Sequence, residues 1–298
     1  MTDLTLTIDG LAVTVAAGTS ILDACRALDI DTPTLCYTET LDPPYACRAC
    51  VVETGPGALI PACARQAEDG MEVLTASERV TRSRRLVFEL LGSSMNLERA
   101  DQDILRWSDE IGALPDRFGP PAAGVDRRVP HPGHHSPSPE GFAASSREPV
   151  KIEDDLYVRD YSACILCYRC VDACGEQHQN SFAISVSGRG FAAKISTEFD
   201  AALPDSACVY CGNCIAVCPT GALVGKIQWD LRQADQWDPS IQETRRSVCG
   251  YCGVGCNLDI TTQDGRIVEV GSPADHDVTL GNLCIKGRFG WQFVYADE

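Results

Sequence analysis

The chain has 298 residues, 44% hydrophobic and 22% charged, a globular composition with room for two or three small domains and none of the bias of gross disorder. Its net charge of −17, from 42 acidic and 25 basic residues, argues against binding nucleic acid through phosphates and favours solubility or docking to a basic protein surface. Cysteine is the outlier at 17 residues, a load that must be disulfides, metal sites or clusters.

The opening MTDLTLTIDGLAVTVAAG has no basic start before an apolar core and no twin-arginine pair, so a cytoplasmic location is expected. No apolar run approaches the roughly 18 to 20 residues that span a bilayer, so direct membrane insertion is not expected. In a reducing cytosol, dense cysteines read as metal ligands.

Residues 4–8 and 11–15 alternate around Asp9-Gly10, which predicts an opening hairpin. Ser20 and Asp23 form a capping pair for a helix that puts Ile21, Cys25 and Leu28 on one face. Short strands near 49–54 and 71–74 complete a small mixed sheet. Residues 76–92 predict a helix ending near Gly92, with Val80, Val87, Leu90 and Leu91 on its apolar side and basic residues on the other.

From about 112 to 150 the chain is rich in proline, glycine and serine and reads as a linker. His131, His134 and His135 lie in it. Three histidines can hold a metal, but a flexible segment must lose entropy to do so, and no cysteine or acidic cluster accompanies them. Beyond 150, two cysteine-dense segments repeat at a spacing of 44 residues: Cys164 corresponds to Cys208, Cys167 to Cys211, Cys170 to Cys214 and Cys174 to Cys218. Past about 245, NLDITTQDGRIVEV predicts a second hairpin around Asp264-Gly265, with cysteines on both sides.

Sixteen cysteines sort into four quartets, leaving Cys25 as a small buried thiol. Cys36, Cys47, Cys50 and Cys63 form C-x10-C-x2-C-x12-C, with the logic of a 2Fe-2S loop; zinc is the alternative. The two central segments are each C-x2-C-x2-C-x3-C, the second followed by Pro219, the two-cluster ferredoxin pattern. There the fourth cysteine of each run serves the other cluster. One 4Fe-4S site is therefore assigned to Cys164, Cys167, Cys170 and Cys218, and another to Cys174, Cys208, Cys211 and Cys214. Cys249, Cys252, Cys256 and Cys284 make a third 4Fe-4S set, with glycines in CGYCGVGC where the chain must turn tightly. Lys286 puts a cation two residues after its last member.

GALVGK at 221–226 is one residue short of a phosphate loop, and no G-x-G-x-x-G, nucleophile elbow or H-E-x-x-H occurs. No substrate site is visible, and no catalytic residue is assigned.

TPTLCY, YACRACVVE and PACARQAEDGMEV within 32–74, the segment 161–221, and VCGYCGVGC with GNLCIKGRFGWQFV within 248–298 resemble a known family. It is the N-terminal iron-sulfur portion of the large subunit of NAD-dependent molybdopterin formate dehydrogenases, related to the large iron-sulfur subunit of complex I. The resemblance implies that Lys286 conducts electrons between the last cluster and a pterin. It also implies a molybdopterin-bearing catalytic subunit and a flavin subunit that reduces NAD, these cofactors being expected only on partner chains because no pterin cradle occurs before Glu298. The family's cluster held by one histidine and three cysteines is expected to be absent, since no cysteine lies between Cys63 and Cys164 and Ser94 and Met95 stand where a ligand is expected nearby. Phe289, Trp291, Phe293 and Tyr295, four aromatics in seven residues, are more apolar surface than a bare terminus should expose; they are expected to dock the molybdopterin subunit, with packing on the last cluster domain as the alternative.

The expected fold is α+β and modular: a β-grasp 2Fe-2S domain (1–75), a helical segment (76–111), a linker (112–150), a two-cluster 4Fe-4S ferredoxin domain (151–240) and a molybdopterin-oxidoreductase-type 4Fe-4S β domain (245–298). The expected function is electron relay within a formate dehydrogenase complex. A diaphorase-type subunit of a hydrogenase or another molybdoenzyme is the alternative, and a non-redox zinc scaffold is the alternative of another class.

Overall fold

The computed structural model describes residues 3–114, 117–118, 150–189 and 193–295. His131, His134 and His135 lie outside the described residues. The chain divides into two compact units, the first built from 3–37 and 43–118, the second from 38–42 and the described residues from 150 onward.

In the first unit β1 (Asp3–Ile8) and β2 (Leu11–Ala16) pair antiparallel through a two-residue turn, Ile8 opposite Leu11. Asp9 and Gly10 both take positive φ, 48° and 83°, the left-handed pair that matches strand twist. The Asp9 carboxylate also accepts from the Thr75 amide at 2.8 Å. Helix α1 (Ile21–Arg26) starts at Ser20, whose hydroxyl accepts from the Asp23 amide at 3.1 Å. Ile21, Leu22, Ala24 and Cys25 are buried from it. Strands β3 (Val51–Thr54), β4 (Ala58–Pro61) and β5 (Glu72–Leu74) complete a mixed sheet ordered β2-β1-β5-β3-β4, with β1 and β5 parallel. Its core joins Leu6, Ile8, Val52 and Val73 to the helix. The fifth strand, β4, was not expected.

Helix α2 (Glu78–Ser94) is capped by the Ser77 hydroxyl, which accepts from the Val80 amide at 3.2 Å. Its buried stripe is Val80, Arg84 and Phe88, with Glu89 and Ser93, rather than the expected face through Val87 and Leu90; Leu90 is 49% exposed. The face is turned because Arg84 lies inward, donating from Nε and Nη2 to the Val51 carbonyl at 3.2 and 2.8 Å. Helix α3 (Gln102–Glu110) follows and buries Ile104 and Trp107.

In the second unit β6 (Tyr157–Arg159) pairs with β9 (Leu223–Gly225), and between them lie α4 (Arg169–Cys174), β7 (Ser185–Ser187), β8 (Lys194–Ser196) and α5 (Asn213–Ala216). The sequence repeat is a backbone repeat too. Leu166 and Tyr168 have φ of 53° and 66°, and 44 positions later Tyr210 and Gly212 have 57° and 73°. Each left-handed pair swings the chain around its cysteines into a short helix. Helix α6 (Lys226–Gln233) then leads to an antiparallel sheet of β10 (Glu243–Val248), β11 (Asn257–Gln263) and β12 (Arg266–Gly271). Asp264 and Gly265 form the expected turn, both with positive φ. Helix α7 (Ile285–Phe289) closes the described chain with a final 3-10 turn. Among the described residues no helix is long and apolar enough to cross a membrane.

Candidate metal centres

The first quartet surrounds the start of β3. Cys47 and Cys50 lie in a loop made sharp by positive φ at Tyr45 and Arg48, and Cys63 follows β4. The Cys50 and Cys63 sulfurs are 3.3 Å apart, and Cys36 lies near enough to Cys47 and Cys63 for both to act on its thiol. The Ala49 amide donates to Cys47 Sγ at 3.4 Å. Cys47 and then Cys63 pull the Cys36 thiol well down, and Cys63 lowers Cys50 to about 7, while Cys36 pushes Cys47 up and Cys36 with Cys50 pushes Cys63 up. Four thiols this close share protons, because four bare thiolates would repel one another. Metal bound in place of the protons removes that conflict.

The central segments form two recesses. One is lined by Cys164, Cys167, Cys170 and Cys218, with Tyr161, Ile195 and Leu223 among its walls. The other is lined by Cys174, Cys208, Cys211 and Cys214, with Tyr157 and Leu203. In each, three thiols come from one segment and the fourth from the other. Backbone amides point at the sulfurs: Ala183 to Cys174 at 3.2 Å, Tyr210 to Cys208 at 3.4 Å and Leu223 to Cys218 at 3.5 Å. Burial, followed by neighbouring thiols, pushes Cys170 and Cys214 well above the usual thiol range. Such thiols stay protonated unless a metal takes the proton's place.

The fourth quartet lies at the edge of the three-stranded sheet. Cys249 follows β10 and Cys256 precedes β11, and the Cys249 amide donates to the Cys256 carbonyl at 2.8 Å, closing the loop that carries Cys252. Gly255 turns that loop with φ +66°. Cys284 sits at the N-terminus of α7. Burial raises the Cys256 thiol first, then Cys249, Cys252 and Cys284, so the four share one neighbourhood. Cys249 is buried, whereas Cys252, Cys284 and Lys286 are exposed.

Cys25 stands apart, fully buried in α1, where burial raises its thiol above the usual range. No group of three His, Cys, Asp or Glu among the described residues is arranged around a single ion. A cluster would spread its thiolates over several irons, one thiolate per iron in a 4Fe-4S site and two per iron in a 2Fe-2S site, so its ligands need not converge on one point as those of a lone zinc must.

The aromatic tail divides between packed and exposed rings. Phe289 packs into the core around the central cysteines, its ring edge-on to Tyr157 at 5.4 Å. Trp291 and Tyr295 pack edge to face on each other at 6.3 Å, and Phe293 alone of the four stays largely exposed, at 68%. Sequence reasoning missed Arg288 altogether. It is 4% exposed, and its Nε donates to the Cys211 carbonyl at 2.9 Å. A signal was present in the repeat, where Gly212 and Asn213 stand in place of Tyr168 and Arg169.

Three family models match the chain: a 2Fe-2S iron-sulfur cluster binding domain over 1–78, a 4Fe-4S dicluster domain over 163–222 and a molybdopterin oxidoreductase Fe4S4 domain over 242–296. The alpha subunit of an NADPH-Fe(3+) oxidoreductase from Geobacter sulfurreducens is 33% identical over 99% of this chain and 32% of its own length. Subunit HndD of an NADP-reducing hydrogenase from Solidesulfovibrio fructosivorans is 39% identical over 78% of this chain and 38% of its own. A Staphylococcus haemolyticus protein provisionally named a formate dehydrogenase is 26% identical over 99% and 31%. The chain thus spans about a third of the length of these relatives. Three cluster-binding domain types along its length make the chain an iron-sulfur protein, and two of the relatives named are subunits of oxidoreductases.

Proposed function

We propose that the chain carries four clusters and forms the electron-transfer portion of an NAD(P)-linked formate dehydrogenase complex. The 2Fe-2S cluster takes Cys36, Cys47, Cys50 and Cys63. The three 4Fe-4S clusters take Cys164, Cys167, Cys170 and Cys218; Cys174, Cys208, Cys211 and Cys214; and Cys249, Cys252, Cys256 and Cys284. Bound there, the clusters supply one-electron transfer between a molybdopterin centre outside these 298 residues and a flavin site that exchanges electrons with NAD(P). The observation that carries the reading is the pair of central recesses, each walled by three thiols of one segment and the fourth of the other.

The chain's own residues have separable tasks. The thiols bind iron, and the amides of Ala49, Ala183, Tyr210 and Leu223 offset negative charge at the sulfurs they face. Tyr157, Leu203 and Ile195 wall the central sites from water. Lys286 is assigned to the electron path toward the pterin, a role resting on the resemblance of GNLCIKGRFGWQFV; its exposed position leaves it free to meet a further domain. Formate specificity rests on the same resemblance and on the staphylococcal relative. A cytoplasmic setting suits 17 thiols with no disulfide among them.

The hydrogenase reading is favoured by the 39% identity to subunit HndD. Purification of the complex decides between the two: molybdenum or tungsten with formate-dependent NAD(P) reduction supports the first, and nickel or hydrogen-dependent reduction without either metal supports the second. Within the first reading, Cys252→Ser is expected to remove one 4Fe-4S signal and formate-linked turnover while sparing the 2Fe-2S signal. Unchanged turnover would take the fourth quartet off the path.

A further inference from the structure

We propose that Arg288 is a built-in counter-cation for the site formed by Cys174, Cys208, Cys211 and Cys214, and that it sets the reduction potential of the cluster held there. The proposal rests on the cluster assignment above.

Arg288 leaves α7 four residues after Cys284 and enters the loop that carries Cys208, Cys211 and Cys214. Its Nε donates to the Cys211 carbonyl at 2.9 Å, Nη1 to the Val270 carbonyl at 3.3 Å and Nη2 to Asn213 Oδ1 at 3.4 Å. Asn213 Oδ1 also accepts from the Leu283 amide at 3.1 Å, so one amide oxygen ties the loop to both ends of the turn that bears Cys284. The guanidinium is almost wholly buried. Among the described residues no carboxylate comes within 4.0 Å of it, and Glu269 acts on it only through space. All its hydrogen-bond partners are neutral oxygens.

A buried cation without an ion-pair partner is costly unless an anion lies nearby. Burial works against the charge and Glu269 does most to support it, while the bond to the Cys211 carbonyl sets the guanidinium against the loop whose thiolates would hold the cluster. A 4Fe-4S cluster bound by four thiolates carries net negative charge that grows on reduction, so a fixed cation beside it favours the reduced state and raises the potential.

The internal repeat shows that the chain is shaped to admit this side chain. Tyr168 and Gly212 occupy equivalent positions and share the left-handed conformation, with φ of 66° and 73°. Backbone conformation alone therefore does not demand glycine at 212. What demands it is Arg288, because a Cβ on Gly212 would fall 2.1 Å from Arg288 Cδ and 3.2 Å from Phe289 Cζ.

The test is a redox titration of the full chain followed by electron paramagnetic resonance, with Cys211→Ser identifying the signal of this site. Arg288→Gln is expected to move that signal to lower potential and leave the other cluster signals where they were, while Arg288→Lys, which keeps the charge, moves it less. Wild-type iron content with an unmoved potential in Arg288→Gln overturns the proposal and leaves the cluster assignment standing. Absence of iron from the wild-type chain removes the assignment itself and this proposal with it. If Arg288→Gln does not fold, Gly212→Ala, which crowds the guanidinium off the loop, must produce the same downward shift, and an unmoved potential there overturns the proposal equally.

Discussion

Arg84 on α2 donates two hydrogen bonds to the carbonyl of Val51, the residue that follows Cys50 and opens β3. Through this pair α2 braces the strand that begins at the first quartet. Both groups are buried, so neither can turn to water if the other is lost.

Arg84→Leu is accordingly expected to leave the Val51 carbonyl unsatisfied and cost about 1–3 kcal/mol of stability in the first unit. Urea unfolding followed by the visible circular dichroism of the 2Fe-2S site measures it. A midpoint equal to the wild type would show that the brace carries no weight.

Crossed ligation predicts which substitutions resemble one another. Cys218→Ser should perturb the same 4Fe-4S signal as Cys167→Ser, though 51 positions separate them, and Cys174→Ser the same signal as Cys211→Ser. Paramagnetic spectra of the four single variants provide the comparison. If Cys218→Ser instead matched Cys211→Ser, each segment would hold its own cluster.

Cys25 is the internal control. Cys25→Ala should leave iron and sulfide content unchanged and lower stability by about 1 kcal/mol, the cost of a small void in a packed core. Loss of iron from this variant would bring Cys25 into the ligand set.

Much of this architecture could be read from the sequence because its signals are local. Asp9-Gly10 and Asp264-Gly265 specify two-residue turns without help from distant contacts, and Ser20 caps α1 through the amide three residues on. The cysteine runs were legible for a similar reason, since short spacing brings neighbouring thiols together almost regardless of the surrounding fold. What escaped depended on tertiary contact. The inward face of α2 is decided by Arg84 reaching a carbonyl 33 positions away, which no periodicity of apolar residues encodes. Strand β4 is four residues long and gains its identity from pairing with β3. Phe289 read as one more exposed aromatic at the chain end, yet its place is fixed by Tyr157, more than a hundred residues earlier. Arg288 looked like an ordinary basic residue until the loop it enters was in view.

Iron and acid-labile sulfide counted on the anaerobically purified full chain, with paramagnetic spectra at graded potentials, test the central claim most directly. One 2Fe-2S and three 4Fe-4S clusters require about 14 iron atoms per chain and four separable signals. A colourless protein carrying zinc in place of iron would contradict the account.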